Sequence, residues 1–306
     1  MVIVKISGGL GNQLFQYAFG KAIEKKYGYV VKYDLSYYEN IPKGDTFREA
    51  FVSRYIPSHK IATKIEIEEI VKKDACFLKK LFKRLGLTEY HTKYERLGDG
   101  ITDIDQVKDN TLLIGYWQAE KYFSNICDEI RKTVTFKEYM LPKDMVKIME
   151  RIRSSHSVSI HVRGGDYLLQ ENQAIFGGIC TSEYYEQAYA YMRDKFPDCK
   201  FFLFTNDITW TKKHIHLPYE NITLVCNEYE ATEDWMDLYL MSLCNDNILA
   251  NSSYSWWAAW LNAHADKNVI CPYKWTNDNQ HSDIFCQSWI KMGSRDKSCN
   301  EKYIYR

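Results

Sequence analysis

The chain reads as an α/β protein built in two Rossmann-like halves, and three observations point there. A strand, a glycine-rich turn and a helix follow one another directly from the N-terminus. The same strand–helix alternation starts afresh after residue 156. At 306 residues the chain also exceeds what one small core usually serves, so two domains are expected, 1–153 and 154–306.

Val2-Ile-Val-Lys-Ile6 is the first strand, followed by Ser7-Gly-Gly-Leu-Gly-Asn-Gln13 and a helix from about Leu14 to Tyr27. A glycine turn at a helix N-terminus is an anion-binding arrangement, because backbone N–H groups there point outward. Gly9-Leu-Gly11-Asn-Gln-Leu14 lacks the third glycine of the dinucleotide fingerprint. Asn12 and Gln13 place amides where the turn meets the helix, as caps or as ligand contacts.

Tyr29 to Asp34 reads as the second strand, and Lys60 to about Leu97 as charged helix. Asp103-x-Asp105 has the form of a metal-holding pair but sits in a polar stretch without a flanking strand, which favours loop chemistry. Thr111–Trp117 is a strand, and Glu120–Lys132 and Lys143–Arg153 are helices, with the boundary at 153–156.

In the second half, Val158, Ile160 and Val162 alternate with Ser157, Ser159 and His161, and the strand runs out into Arg163-Gly-Gly-Asp166. Taken alone, this end fits equally a surface Arg–Asp pair and a ligand site, since guanidinium forks suit phosphate or carboxylate. A helix over Ser182–Asp194 leads to the strand Lys200–Thr205, which ends in Asn206 and Asp207. Ile222–Cys226 is a strand and Glu233–Leu243 a helix, whose early acids suit its dipole. Asn247–Ala250 is a strand ending in Asn251-Ser-Ser-Tyr-Ser255, a helix begins at Trp256, and Asn268–Cys271 is one more strand. Three strand ends thus carry polar groups: Arg163 with Asp166, Asn206 with Asp207, and Asn251 with Ser252, Ser253 and Ser255. Hydroxyls and free N–H groups at a helix start suit phosphate oxygens, so the pattern favours a nucleoside diphosphate.

Composition narrows the class further. Lys+Arg and Asp+Glu are both 40, so no global field draws the chain to nucleic acid. The basic run Lys79–Arg84 is either a solvated helix face or a peripheral membrane contact. Nine cysteines without a Cys-x-x-Cys pair fit a reducing compartment. No apolar run approaches the roughly 20 residues of a membrane span, and no signal peptide precedes the first strand, so the chain reads as cytoplasmic.

Gly8–Ala18, His161–Tyr167, Phe204–Asp207 and Asp237–Cys244 through Asn251–Trp257 together resemble the bacterial alpha-1,2-fucosyltransferases, which are inverting and use GDP-fucose. The likeness runs from Val4 to Pro272 in the same order. It implies a GT-B architecture of two Rossmann-like domains with a cleft between them, the first on the acceptor side and the second binding GDP-fucose. Fucose would pass to the 2-hydroxyl of a terminal galactose, with inversion and with no metal or cofactor.

By the same resemblance, Arg163 would contact the donor β-phosphate, with His161 beside it, while Asn251, Ser252, Ser253 and Ser255 would line the diphosphate. Asp207 and Asp246 would lie near the nucleoside, and Asn12 and Gln13 would reach in from the first domain. Asp166 is the candidate general base. One departure is that Gly164 stands where the family commonly has a second arginine. The competing expectations are a nucleotide-sugar or glycan binding protein without turnover, and a nicotinamide oxidoreductase.

Overall fold

A computed structural model describes residues 1–42, 48–75, 91–95, 103–164, 170–226, 233–278 and 282–293. The chain divides into two compact units, Met1–Thr135 and Phe136–Arg306, each with its own parallel sheet. These are the two α/β halves expected of the GT-B class.

The first unit carries β1 (Val2–Lys5), α1 (Leu10–Tyr27), β2 (Val31–Asp34), α2 (Lys64–Ala75), β3 (Thr92–Tyr94), β4 (Thr111–Ile114) and α3 (Cys127–Thr133). Its strands lie in the order β2-β1-β4-β3, all parallel. Strands covered on both faces read as continuous apolar runs, which is how Val2, Ile3 and Val4 come to be fully buried. α1 begins four residues before the predicted start, so Gly11, Asn12 and Gln13 belong to its first turn. Gly8 provides the left-handed step, φ +77°, that turns β1 into this helix. Part of the long helix predicted over 60–97 lies outside the described residues; within them the segment is α2 followed by β3, not one helix.

The second unit carries α4 (Lys143–Arg153), β5 (Ser157–Val162), α5 (Gln170–Phe176), α6 (Ser182–Lys195), β6 (Lys200–Thr205), α7 (Ile208–His214) and β7 (Ile222–Cys226). It continues through α8 (Asp234–Leu243), β8 (Asp246–Ile248), α9 (Ser253–Leu261), β9 (Val269–Pro272) and β10 (Ile290–Met292). The six strands are parallel in the order β10-β9-β8-β5-β6-β7. Renumbered within the unit this is 3-2-1-4-5-6, the doubly wound dinucleotide order, whose ligand crevice opens where the order reverses. That switch point is the carboxyl edge between β5 and β8. Val158, Ile160 and Val162 bury one side of β5 with Tyr184, Tyr185, Ala188 and Met192 of α6. On the other side Ser159 Oγ accepts from Asn247 Nδ2 at 2.7 Å, and Asn247 Nδ2 also reaches the Met241 carbonyl.

The unit boundary falls earlier than the predicted 153–156. α4 buries Met145, Ile148, Met149 and Ile152, one helical face, and packs on α8. Phe136 stacks on Trp235 at 5.9 Å, and Arg153 forks onto Glu138, which Tyr239 also reaches at 2.6 Å. Residues 136–153 are therefore fastened to the second unit.

Candidate active site

β5 delivers its two chemical side chains at the switch point. His161 is the penultimate residue of the strand, buried at 4% exposure, and Tyr185 Oη donates to its carbonyl at 2.9 Å. Burial, then the Arg163 charge, pulls the imidazole down to about 3, so it is neutral at physiological pH. Its Nδ1 is buried without a hydrogen-bond partner among the described residues. Arg163 follows, half-buried, at the strand's end.

Gly164 stands at the position where the resemblance leads one to expect a second arginine. Its N–H donates to Asn206 Oδ1 at 3.0 Å, drawing it against β6. A Cβ there would stand 3.2 Å from the Trp210 ring and 3.5 Å from Asp207 Cβ. The indole of α7 stands beside residue 164, so a Cβ at this position would press it back by a few tenths of an ångström.

At the neighbouring strand end the predicted residues divide into scaffold and site. Asn251 Nδ2 donates to the carbonyls of Phe176 and Trp275, both at 3.1 Å, and its Oδ1 accepts from Cys180 Sγ. Ser255 Oγ donates to the Ala250 and Ser252 carbonyls. Ser252 is the N-cap of α9, accepting from the Tyr254 amide. These groups shape the turn and aim the helix N-terminus. Ser253 is half-buried in the first turn of the same helix.

Asp207 is the N-cap of α7, accepting from the Trp210 amide at 2.8 Å. It stands beside Gly164 on the carboxyl edge. Asp246 stands elsewhere. It opens β8 and pairs with Val158, whereas Arg163 lies five residues further along β5, about 16 Å at strand spacing. Its carboxylate binds His156 and Asn268 on the amino edge of the sheet. The expected nucleoside contact by Asp246 is therefore corrected: β8 starts at this residue and carries it to the wrong end. Asp166 lies outside the described residues, as does the basic run 79–84.

A second buried carboxylate, which sequence reading left without a site role, lies on α8. Asp237 lies one turn into α8, and its Oδ1 is buried without a hydrogen-bond partner among the described residues. Burial, then the Asp234 charge, pushes it up to about 7. A lone acid within the otherwise apolar run Trp235–Leu240 was the available signal. Tyr254 of α9 sits between these groups. Its ring is 5.6 Å from that of His161, and its phenol, held high by burial, feels the charges of Asp237, Asp234 and Arg163.

In the first unit, Asn12 Oδ1 accepts from Gln118 Nε2 at 2.7 Å, joining the turns after β1 and β4. Gln13 is buried and fully engaged: it donates to the Gly8 and Glu49 carbonyls and accepts from the Val52 amide. Gln13 is thus a scaffold residue, contrary to its expected reach toward a donor. Asp103 caps a short turn, its Oδ1 accepting from the Asp105 amide, with Gln106 answering the Asp103 amide. Asp105 pairs with Lys26. Among the described residues no three or more His, Cys, Asp or Glu side chains gather as a metal site, and no helix is long and apolar enough to cross a membrane.

Comparison with known proteins adds the following. An alpha-1,2-colitosyltransferase of Escherichia coli is 30% identical over 95% of this chain and 99% of its own length. The human galactoside alpha-(1,2)-fucosyltransferase 1 is 27% identical over 49% of this chain and 42% of its own length. Among solved structures, the fucosyltransferase NodZ from Bradyrhizobium aligns at 15% identity and a TM-score of 0.43, covering 84% of this chain and 91% of that one. The family model described as glycosyl transferase family 11 matches residues 1–293, and the chain belongs to that family.

Proposed function

We propose that this glycosyltransferase moves L-fucose from GDP-β-L-fucose to the 2-hydroxyl of a terminal galactose, with inversion to an α-1,2 linkage. The observation that carries the proposal is the cluster at the β5–β8 switch point: a guanidinium, a helix N-terminus, a buried neutral imidazole and a buried carboxyl together. Each suits one part of a guanosine diphosphate sugar. Arg163 and the first turn of α9 offer positive charge to the diphosphate. Asp237 can accept two hydrogen bonds from the N–H edge of guanine, and the open Nδ1 of His161 can donate or accept according to tautomer.

The chemistry follows from the donor. Attack by the galactose oxygen on the sugar's anomeric carbon breaks the bond to the β-phosphate oxygen and inverts the carbon in one step. Negative charge grows on the departing GDP, where Arg163 and the α9 N-terminus stabilise it. No metal is needed to carry that charge. Asp166, three residues past Arg163, is assigned to take the acceptor proton. The second unit is assigned the donor and the first unit the acceptor. Lys79–Arg84 and a cytoplasmic location remain part of the proposal as a peripheral membrane contact on the inner side.

The colitosyltransferase relative supports colitose as an alternative sugar, which we propose would be carried on the same nucleotide as GDP-colitose. The test is GDP release with each donor, across a panel of galactosides, with and without EDTA. Galactoside-dependent release with GDP-fucose, unaffected by chelation, is the expected result. Release only with GDP-colitose reassigns the donor. Donor binding without release makes the chain a binding protein, and loss on chelation restored by Mn²⁺ or Mg²⁺ overturns metal independence.

A further inference from the structure

Tyr254 makes a pair of bonds that a merely packed tyrosine does not. Its hydroxyl donates to the carbonyl of Asp234 and accepts from the amide of Leu238 at 2.9 Å. Those two backbone groups are the i and i+4 partners that an α-helix joins to one another. The phenol therefore spans the first rung of α8, from a residue on α9 sixteen positions further along the chain. α8 runs unbroken from Asp234 to Leu243, so the hydroxyl clasps its first turn from the side. Asp237 is the residue immediately before Leu238, so the peptide whose N–H is held carries the Asp237 carboxyl on its other side.

The rest of the side chain faces the other parts of the site. The ring is 5.6 Å from that of His161, and the Tyr254 amide is the one that the N-cap Ser252 engages. One residue thus links the start of α9, the imidazole and the turn that bears the carboxyl. We propose that Tyr254 is a positioning residue for base recognition, its hydroxyl setting the turn of α8 so that Asp237 meets the guanine edge that His161 also borders. It touches the backbone of the recognition residue and acts through it.

This rests on guanine recognition by Asp237, and the test separates the two. Tyr254→Phe keeps the ring and removes only the hydroxyl, and with it both bonds to the α8 backbone. GDP and IDP are compared by calorimetry on the full chain, because IDP lacks the exocyclic amine that a carboxylate would hold. Wild type should prefer GDP, and Asp237→Asn should abolish that preference. Tyr254→Phe should keep its thermal midpoint near wild type, weaken GDP by about tenfold, and shrink the GDP-over-IDP ratio toward one. In turnover its loss should fall on donor KM more than on kcat. An unchanged ratio in Asp237→Asn means that Asp237 does not contact the base. A lost ratio in Asp237→Asn with a wild-type ratio in Tyr254→Phe overturns the positioning role alone. A Tyr254→Phe chain that melts far below wild type, with its ratio intact in the folded fraction, overturns it too.

Discussion

His156 Nε2 lies 2.6 Å from Asp246 Oδ2, while Oδ1 of the same carboxylate accepts the Asn268 amide at 2.6 Å and its side-chain Nδ2 at 2.7 Å. Asp246 is 1% exposed, so these bonds replace the water its charge would otherwise require. The imidazole itself stacks on Phe196 with ring centres 4.0 Å apart. The cluster ties the starts of β5, β8 and β9 together at the amino edge of the sheet.

Asp246→Ala should therefore cost stability and spare the site. Removing the acceptor strands the part-buried Asn268 amide, a loss of about 1–3 kcal/mol for each group left unsatisfied. Thermal unfolding should show a fall of several degrees, while GDP affinity at a temperature where the variant is folded stays within about twofold of wild type. A stable variant that has lost GDP would return Asp246 to the nucleotide.

How far the sequence carried the description differs element by element. β5 and β6 were legible because their apolar residues recur with strand spacing and end in glycine or Asn-Asp. The start of α1 was misplaced because Gly9 and Gly11 look like loop, yet Gly9 is the N-cap and Gly11 is buried in the first turn. Asp246 was misread because no periodicity marks the first residue of a three-residue strand, and one end or the other of that strand decides its role. Gln13 looked like a ligand contact since nothing local reveals Glu49 and Val52 as its partners. Asp237 offered a local signal, a lone acid in an apolar run, but its raised pKa comes from a burial that only the folded chain shows. The position of Arg163 just past the end of β5 was legible from local pattern, the apolar alternation that stops at Val162.

GDP affinity should depend on pH through Asp237. In the unliganded protein its carboxyl sits at about 7, and two N–H donors from guanine would hold the ionised form, lowering that value in the complex. Binding then releases a proton below pH 7. Affinity should rise with pH up to about 7, at most tenfold per unit, and level off above. Stability of the free protein runs the other way: the protonated carboxyl suits its buried place at low pH, and that contribution is lost as pH rises through about 7. His161, drawn down to about 3, stays neutral throughout and adds nothing to this profile. Calorimetric GDP titrations on wild type and Asp237→Asn check it; a variant with the wild-type pH profile would sink the assignment.

Arg163 bears the heaviest demand in the proposed reaction. Arg163 follows the end of β5, and the next residue, Gly164, packed beside Trp210, carries no second cation to share its work. Its attraction for the diphosphate grows as negative charge develops there, so truncation should lower turnover more than it weakens donor binding. Arg163→Ala should raise the barrier by about 3 kcal/mol or more, a hundredfold or greater loss of kcat. Arg163→Lys should recover little, since an ammonium cannot reproduce a two-pronged contact with phosphate oxygens. The core of the second unit is built from Val158, Ile160, Val162 and their partners on α6, none of which depends on Arg163, so the variant should melt near wild type. Stopped single-turnover measurements with GDP-fucose and a galactoside acceptor separate chemistry from binding. A folded Arg163→Ala chain with near-normal single-turnover rate would leave the leaving group without its proposed stabiliser and move the active site away from this strand end.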